Sequence, residues 1–395
     1  MIYDFDIIVI GASPSGYIAA LNSKMKYNEL NIAIFEKKKS LKENIHPSNS
    51  IYNIMYSILN EYPNKNYILY EINGMKIISP SKKFIQFNDN GWVIDKFKFD
   101  EFYFKKNLEL GVNIFFNFNV TNIKINKVHV LVTVITNEKK VQYTSKLVII
   151  SNGINSNLVS LLNIKTMKYK NDIAWGIEAN ITYPNIGAEK YAEYYIGSHA
   201  PGWKSSYLPM GNDMASVGIY VRKHGKNIND YFNRWLQQFY KIKKIEQNKI
   251  KINYMRYGGD PIVTIPKNIF SNRVLIAGGA AGQSGIAYGM FSGKIAGEVA
   301  SDSIIQNNIT KKYLSNYNYL WKKKLYHEYI LGRLSLEIIR KSNDNQINYI
   351  FDLFDEITIN QLLKENLLST CISIIKYLFK KDKFFILNFL LKKIY

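Results

Sequence analysis

Near its start the chain runs Asp6-Ile7-Ile8-Val9-Ile10-Gly11-Ala12-Ser13-Pro14-Ser15-Gly16. The β-branched run before Gly11 is typical of a buried parallel strand, and residues 17–25 continue as a helix. A glycine-rich turn between a strand and a helix presents backbone N–H groups and the positive end of the helix dipole to a phosphate. Gly11 makes the turn, Ser13 stands where the backbone approaches the phosphates, and Gly16 allows close packing of the helix on the strand.

Glu36 strengthens this interpretation. It lies twenty residues beyond Gly16, at the end of a second apolar run over residues 32–35. In dinucleotide-binding folds this is the spacing of the carboxylate that accepts hydrogen bonds from a ribose. Strand, turn, helix and acid together predict a site for an adenosine diphosphate group. A βα turn that binds no ligand is the alternative.

The composition is that of a globular protein. Of the 395 residues, 47% are hydrophobic and 21% are charged, which argues against a disordered chain. The formal net charge of +21 fits either an anionic partner or a solvated basic surface. Cys371 is the sole cysteine, so disulfide frameworks and cysteine-based zinc sites are excluded. The chain begins with a structural strand and lacks an apolar stretch of spanning length, so we expect neither a signal peptide nor a membrane span.

The hydrophobic pattern predicts an α/β fold with two intertwined domains. Residues 1–171 and 254–305 form the nucleotide-binding domain, which contains a three-stranded meander between Val120 and Ile149. An insertion at about 45–90 holds a hairpin turning at Asn73-Gly74. Residues 172–253 are rich in strands and predict a second, antiparallel sheet that holds the substrate. Residues 306–395 form a helical C-terminal region.

Two more turns of small residues follow buried strands. Ser151-Asn152-Gly153 ends the run 147–150, where open α/β sheets place their ligands. Much later, Gly278-Gly279-Ala280-Ala281-Gly282-Gln283 follows a strand at 273–276 and opens a helix whose N-terminus can face a negative group. A simple nicotinamide-binding domain has no use for this last turn.

These segments occur in the order seen in FAD-dependent enzymes of the para-hydroxybenzoate hydroxylase superfamily. Within it the chain most resembles the archaeal geranylgeranyl reductase family. Residues 91–100, which include Gly91-Trp92 and Phe99-Asp100, look like the family segment G-W-x-x-D-R-x-x-F-D. Residues 292–298 match its S-G-x-x-A-x-E helix, and residues 351–391 look like its small helical C-terminal region. The resemblance implies a glutathione-reductase-type FAD-binding domain intertwined with the substrate sheet.

The resemblance also implies an activity, the FAD-dependent saturation of C=C bonds in geranylgeranyl or other isoprenoid chains of membrane lipids or their precursors. The flavin carries such chemistry, and the protein orients the alkene. The implied FAD contacts are Gly11, Ala12, Ser13, Ser15, Gly16, Glu36, Lys37, Asn152, Gly153, Gly278, Gly279, Ala280, Ala281, Gly282 and Gln283. The implied substrate contacts are Trp203, Tyr207, Pro209 and Tyr288. His46 is either a catalytic proton donor or an exposed loop residue. No metal site is predicted.

The chain departs from the family in several of these motifs. Gly279 stands where the family usually has Asp, and Asn152 replaces the Asp of its A-D-G turn. The loop after Gln283 is shorter by about half a dozen residues, and His46-Pro47 occupies about the place of the family's cysteine. The family's Y-x-W-x-F-P lipid motif is represented only by residues 203–209.

Several expectations concern partners and location. We expect NAD(P)H or ferredoxin as the electron donor, an isoprenoid lipid as substrate, a monomer, and no nucleic-acid binding. The C-terminal region carries Leu362, Leu363 and further apolar residues at helical spacing, with Lys380-Lys381 and Lys392-Lys393 beside them. This pattern fits either a packed core or contact with an anionic bilayer. We therefore expect a cytoplasmic protein that touches the inner face of the cell membrane.

Two other functions remain open at this point. The first is an FAD-dependent aromatic monooxygenase of the same superfamily. The second is a membrane-associated binding protein that keeps the flavin fold but has lost catalysis.

Overall fold

The computed structural model describes residues 3–354 apart from 44, 48, 223–226 and 263, and residues 361, 362, 364, 367–384 and 387. Its strands are β1 Phe5–Ile10, β2 Ile32–Phe35, β3 Ser50–Tyr52, β4 Ile68–Ile72, β5 Gly74–Ile78, β6 Phe84–Phe87, β7 Gly91–Ile94, β8 Asn113–Phe115, β9 Asn119–Ile125, β10 Val130–Thr136, β11 Lys139–Ile150, β12 Ala174–Thr182, β13 Tyr191–Tyr195, β14 Lys204–Pro209, β15 Met214–Val221, β16 Lys251–Asp260, β17 Phe270–Ser271 and β18 Val274–Ile276. Its helices are α1 Pro14–Lys26, α2 Asn53–Tyr56, α3 Lys96–Glu109, α4 Asn157–Leu161, α5 Ile228–Lys243, α6 Ile286–Ile305, α7 Lys311–Lys341, α8 Asp344–Asp352 and α9 Leu367–Lys381.

The first domain is built on an eight-stranded sheet with the order β17-β18-β11-β1-β2-β8, in which β10 and β9 continue from β11. The strand β1 lies between β11 and β2 and is parallel to both. Its residues Ile7–Val9 have no exposed surface, as expected for a parallel strand covered on both faces. The predicted meander is confirmed by the antiparallel pairs β9–β10 and β10–β11.

Helix α6 lies directly against α1, and small residues make this contact possible. A Cβ atom on Gly293 would lie 2.2 Å from the carbonyl oxygen of Ser15, and one on Gly297 would lie 2.2 Å from that of Ala19. The Ser23 hydroxyl donates to the Gly297 carbonyl at 2.9 Å. Helix α6, which follows the turn at 278–283, is thereby fixed to α1, which follows the turn at 11–16.

The second domain is a seven-stranded sheet with the order β16-β12-β15-β14-β13-β5-β6. One face is buried under α5, where Trp235 and Phe239 meet Ile177 and Val217. The strand β16 pairs with β12 along its length up to Asp260. The second sheet therefore extends past residue 253, where the sequence placed its boundary.

The insertion at 45–90 is divided between two sheets. The strand β4 pairs with β7 in a three-stranded sheet, whereas β5 pairs with β6 and lies parallel to β13. The hairpin predicted at Asn73-Gly74 is therefore wrong, and the turn between paired strands lies at 79–83. Asn-Gly favours a local turn, but the exposed edge of β13 offers β5 a full set of backbone partners.

The described part of the C-terminal region consists mainly of the helices α7, α8 and α9. Trp321, Leu325 and Tyr329 of α7 are buried in the core of the first domain. Of the predicted apolar pattern, Leu363 and residues 385, 386 and 388–391 lie outside the described residues. None of the described helices combines the length and the apolar character needed to cross a bilayer.

Candidate functional site

The first glycine turn forms at the carboxyl end of β1. Gly11 has a φ of +104°, which favours glycine, and the Ser13 side chain caps α1 by accepting from the Gly16 N–H at 3.2 Å. The Tyr17 N–H is bonded to the Ser13 carbonyl at 2.9 Å, and Pro14 has no N–H. The N–H groups of Ser13 and Ser15 are thus the donors of this turn that remain for a phosphate.

Gly16 is held in place by sterics. A Cβ atom at this position would lie 2.1 Å from the Gly11 carbonyl oxygen and 2.6 Å from the Ser151 hydroxyl oxygen. The same hydroxyl donates to the carbonyls of Ile10 and Gly11, at 3.0 and 2.9 Å. The helix can therefore approach the strand this closely only with glycine at position 16.

Glu36 is buried at the end of β2 and joins two backbone segments. One carboxylate oxygen accepts the Ala12 N–H at 2.7 Å, and the other accepts the Lys38 N–H at 2.9 Å. Because a carboxylate oxygen has two lone pairs, each keeps one for a further donor such as a ribose hydroxyl. The acid predicted from spacing thus lies directly beside the turn at Gly11.

The other two turns meet the first at the same edge of the sheet. A Cβ atom on Gly11 would lie 2.8 Å from the Cα of Asn152, and one on Gly278 would lie 2.3 Å from the Ser15 hydroxyl oxygen. Gly279 abuts Ile154, whose backbone nitrogen would be 3.2 Å from a Cβ there. The sequence predicted these turns separately. In the structure they lie side by side and form one surface of small residues, which we call the floor of the site.

Gln283 has its side chain turned inward within this floor. Its Oε1 accepts the Gly278 N–H at 2.7 Å, and its Nε2 donates to the Tyr317 hydroxyl at 3.1 Å. Tyr317 in turn donates to the Ile276 carbonyl at 2.9 Å. The side chain therefore holds the turn in shape, and a cofactor contact at this position would have to use the backbone.

Space remains around the floor for a ligand. A Cβ atom on Gly153, Gly285 or Gly289 would meet no atom within 4 Å, although Gly289 is buried in α6. The Asn152 Oδ1 is also buried and has no hydrogen-bond partner among the described residues. A buried acceptor without a partner is costly, and a ligand hydroxyl would satisfy it. The residues present therefore fit an extended cofactor with its phosphates at the first turn.

A basic cleft of about 690 Å³ lies between the loop after β2 and the edge strand β16. Its cations are Lys37, Lys38, Lys42 and Arg256, and His46 lies among them. The His46 side chain is exposed. Partial desolvation in the cleft, followed by the charges of Lys38 and Lys96, lowers the pKa of His46. Its expected role as a catalytic proton donor stays a prediction.

The substrate residues taken from the sequence are not brought together. Tyr207 lies on the face of the sheet covered by α5, where it stacks on Phe239 and donates to the Ile186 carbonyl at 2.5 Å. Tyr207 is thus fully buried, and its expected contact with a substrate stays a prediction. Pro209 lies two residues after Tyr207 in β14 and therefore on the same face of the sheet. Trp203 packs beside the Ala174, Ile262 and Leu336 cluster. Tyr288 donates to Glu328 of α7 at 2.7 Å.

The opposite face of β14 carries Lys204, Ser206 and Leu208 by alternation. On the same face, the Tyr220 hydroxyl of β15 donates to Glu178 of β12 at 2.5 Å. The Lys204 ammonium lies 3.5 Å from the ring centroid of Tyr194 in β13. The sequence missed this polar face because residues 204–209 show no clear alternation of apolar and polar side chains.

Asp260 was also missed, although it ends β16 right after two glycines. It lies beside Ser284 and Gly285, which precede α6. Burial raises the pKa of Asp260 above the usual aspartate value. Ser284, the charge of Lys204 and Gly285 lower the pKa by less. The third turn is therefore next to a carboxyl group that keeps its proton to a higher pH than an ordinary aspartate.

Comparison with curated proteins gives full-length relatives, although no protein-family model matches the chain. Digeranylgeranylglycerophospholipid reductase of Methanococcus vannielii is 27% identical over 364 residues, which cover 89% of this chain and 91% of the relative. Digeranylgeranylglycerophospholipid reductase 1 of Methanothermobacter thermautotrophicus is 22% identical over 399 residues, covering 98% and 99% of the two chains.

Solved structures agree on the fold. A geranylgeranyl bacteriochlorophyll reductase-like protein of Thermoplasma acidophilum superposes with a TM-score of 0.83 at 20% identity, covering 97% of this chain and 98% of the other. The p-nitrophenol 4-monooxygenase of Pseudomonas putida superposes with a TM-score of 0.69 at 13% identity, covering 95% and 98%. The resemblance and the fold class predicted from the sequence are confirmed, and the expectation of an FAD-dependent oxidoreductase is supported.

Proposed function

We propose that this chain, which matches named digeranylgeranylglycerophospholipid reductases along nearly its whole length, is an FAD-dependent reductase that saturates C=C bonds of isoprenoid chains in membrane lipids or their precursors. The observation that carries the proposal is the convergence of three glycine turns on one edge of the sheet, with Glu36 and the unpaired Asn152 Oδ1 beside them. These are the groups that an adenosine diphosphate and a polyhydroxyl linker require.

In this proposal the reduced flavin, when bound, would supply the hydride that one alkene carbon takes up, and a proton from solvent would complete the other carbon. The chain's own residues hold the cofactor. The N–H groups of Ser13 and Ser15 would bind phosphate, Glu36 would accept from a ribose hydroxyl, and Asn152 would accept from the linker. The basic cleft at Lys38 and Arg256 adds positive charge close to this end of the site.

The test starts from the purified protein with added FAD. A flavin absorption spectrum that persists after gel filtration supports the cofactor. Incubation with an unsaturated archaeal-type phospholipid and a chemical reductant, followed by mass spectrometry, then identifies the reaction. A gain of hydrogen supports the reductase, and a gain of oxygen supports a monooxygenase. A colourless protein that FAD cannot reconstitute would exclude both enzymes and leave the non-catalytic binding protein. The electron donor, NAD(P)H or ferredoxin, and a monomeric state stay predictions.

Restoring the family's acid at position 279 is expected to tighten FAD binding. A carboxylate there would add a charge-assisted hydrogen bond to the ribityl hydroxyls, worth roughly 1.5–3 kcal/mol. Its Cβ would be 3.2 Å from Ile154, so Ile154 must shift by a few tenths of an ångström, which lies at the low end of the about 1–3 kcal/mol that overpacking costs. The net gain for Gly279→Asp is about 1 kcal/mol, or roughly fivefold in Kd, measured by quenching of FAD fluorescence.

The matched control is Gly279→Asn, which has the same shape without the charge. It is expected to bind FAD no better than the wild type. Equal FAD affinities for the Asp and Asn variants would contradict a ribityl contact at this position.

We also propose that the C-terminal region contacts an anionic membrane. The helix α9 ends in Lys380 and Lys381, and Phe384 just beyond it is 80% exposed. Near an anionic surface each lysine contributes on the order of 1 kcal/mol. In vesicle flotation, Lys380→Gln/Lys381→Gln is expected to bind phosphatidylglycerol vesicles roughly thirtyfold more weakly. Lys312→Gln/Lys323→Gln on α7 removes the same charge as a control, and equal losses in both variants would refute a specific contact.

A further inference from the structure

The apolar face of the second sheet is left open along one edge. The strand β16 is the last strand of this sheet, and among the described residues it pairs with β12 alone. Residues paired across two strands share a face of the sheet. Ile177 and Ala179 of β12 lie under α5 and are fully buried, whereas their partners Tyr257 and Met255 of β16 are 53% and 37% exposed. The cover that α5 gives the sheet therefore ends before β16.

Two more apolar side chains extend this open face. Ile252 is paired with the buried Ile181, and it is 41% exposed. Trp175 is paired with Gly259, where a Cβ atom would lie 3.1 Å from the indole ring, and it is 39% exposed. We call these four exposed residues, Trp175, Ile252, Met255 and Tyr257, the β16 strip. Large apolar side chains that are exposed side by side mark a contact surface, whereas single ones do not.

Positive charge lies next to the β16 strip. Two members of the strip line the basic cleft together with Lys42 and Arg256. Lys251 adds a cation at the exposed start of the strand. The acid of the cleft, Glu43, accepts a backbone N–H of its own loop at 2.6 Å. Because the whole chain carries a formal net charge of +21, an anionic partner is favoured at this edge.

The backbone of β16 is guarded against pairing with another strand. Its register on β12 shifts at Asn253, whose side chain donates to Asn180 and Thr182 at 2.7 and 2.9 Å. Further along, a Cβ atom on Gly258 would lie 2.7 Å from Pro47, so a loop covers the strand there. Bulges, lysines and covering loops are the devices that prevent edge-to-edge association. A second copy of this cationic chain is therefore disfavoured as the partner.

We propose that the β16 strip and the cations beside it dock on an anionic lipid bilayer. Tyr and Trp side chains settle at the level of the lipid head groups, and Lys and Arg attract anionic lipids. Since the head-group layer contains water, the free backbone groups of an edge strand find hydrogen-bond partners there, which the hydrocarbon layer does not offer. This surface consists of other residues than the C-terminal contact proposed above, and it depends neither on FAD nor on the reaction.

Flotation with phosphatidylglycerol vesicles tests the β16 strip. Met255→Ser/Tyr257→Ser removes two of its apolar side chains. The matched control, Met25→Ser/Tyr62→Ser, removes the same residue types from positions elsewhere that are 67% and 82% exposed. We expect at least tenfold weaker vesicle binding in the first variant and less than a twofold change in the second. Circular dichroism checks that both are folded.

Trp175 reports the contact directly. On addition of phosphatidylglycerol vesicles its fluorescence should shift to the blue, and lipids brominated near the head group should quench it. Trp175→Phe should remove most of this shift. Neither readout needs cofactor or turnover, so a failure of this proposal is distinguishable from a failure of the proposed function.

Several outcomes would overturn the proposal. One is equal vesicle affinity in wild type and Met255→Ser/Tyr257→Ser, with binding lost only in Lys380→Gln/Lys381→Gln. A second is equal binding to phosphatidylcholine vesicles, because the cations would then play no part. A third is a dimer in analytical ultracentrifugation that Met255→Ser/Tyr257→Ser dissociates, because the strip would then be covered by a second copy of the chain.

Discussion

Gly16→Ala is expected to abolish measurable FAD binding, with a loss of affinity of at least about 100-fold. The added methyl group would lie 2.1 Å from the Gly11 carbonyl oxygen, so α1 must move away from β1. This shift displaces the N–H groups of Ser13 and Ser15 from the phosphates they would bind. Overpacking against backbone also costs stability, typically about 1–3 kcal/mol.

Fluorescence titration with FAD checks the loss of binding, and thermal unfolding checks that Gly16→Ala is folded. Met25→Ala, on the same helix but 67% exposed, serves as the control and should keep wild-type affinity. A folded Gly16→Ala protein that binds FAD as the wild type does would rule out the first turn as the phosphate site.

Asp172→Asn is expected to lower the free energy of unfolding by about 3–5 kcal/mol. Asp172 is the carboxylate shared by Arg222 and Arg333, whose side chains are 0% and 8% exposed. An amide in its place leaves the buried Arg222 guanidinium without a counter-ion and leaves Arg333 with Glu337 alone. Urea unfolding measures the loss, and Glu29→Gln, at an exposed position, should change stability by less than about 0.5 kcal/mol.

The contribution of Asp172 to the free energy of unfolding should be lost only at low pH. Burial alone would raise the pKa of Asp172, but hydrogen bonds and charges from Arg222 and Arg333 hold it below the usual value. The stabilisation is therefore fully present above the unfolded pKa of about 3.9 and is lost as pH falls through the folded pKa. The stability difference between wild type and Asp172→Asn should be constant from about pH 6 to 8 and shrink only below about pH 4. A difference that shrinks near neutral pH would contradict this assignment.

Local patterns predicted much of the first domain well. The strand β1, the turn at Gly11, the helix α1 and the position of Glu36 all follow from short-range spacing, and the structure has them where they were expected. The third turn at Gly278 was visible for the same reason. In each case the chemistry and the signal lie within a few residues of one another.

Other features required information that lies far apart in the chain. Tyr207 points toward α5 because of the register that β15 and β13 impose on β14, and residues 204–209 alone do not reveal it. The inward turn of Gln283 depends on Tyr317, on a different helix. The link between Asp172 and Arg333 spans even more of the chain. Such contacts are set by tertiary packing, which single-sequence spacing cannot register.

The interleaving of the two sheets has a consequence for the order of assembly. The strand β5 finds its parallel partner in β13, more than a hundred residues later, and the same sheet is finished only by β16. During synthesis the segment 74–87 therefore keeps an unpaired strand edge until β13, which ends at residue 195 of the 395, has left the ribosome. The two domains cannot be produced as separate fragments by cutting at residue 171, because each half would lack strands that the other supplies.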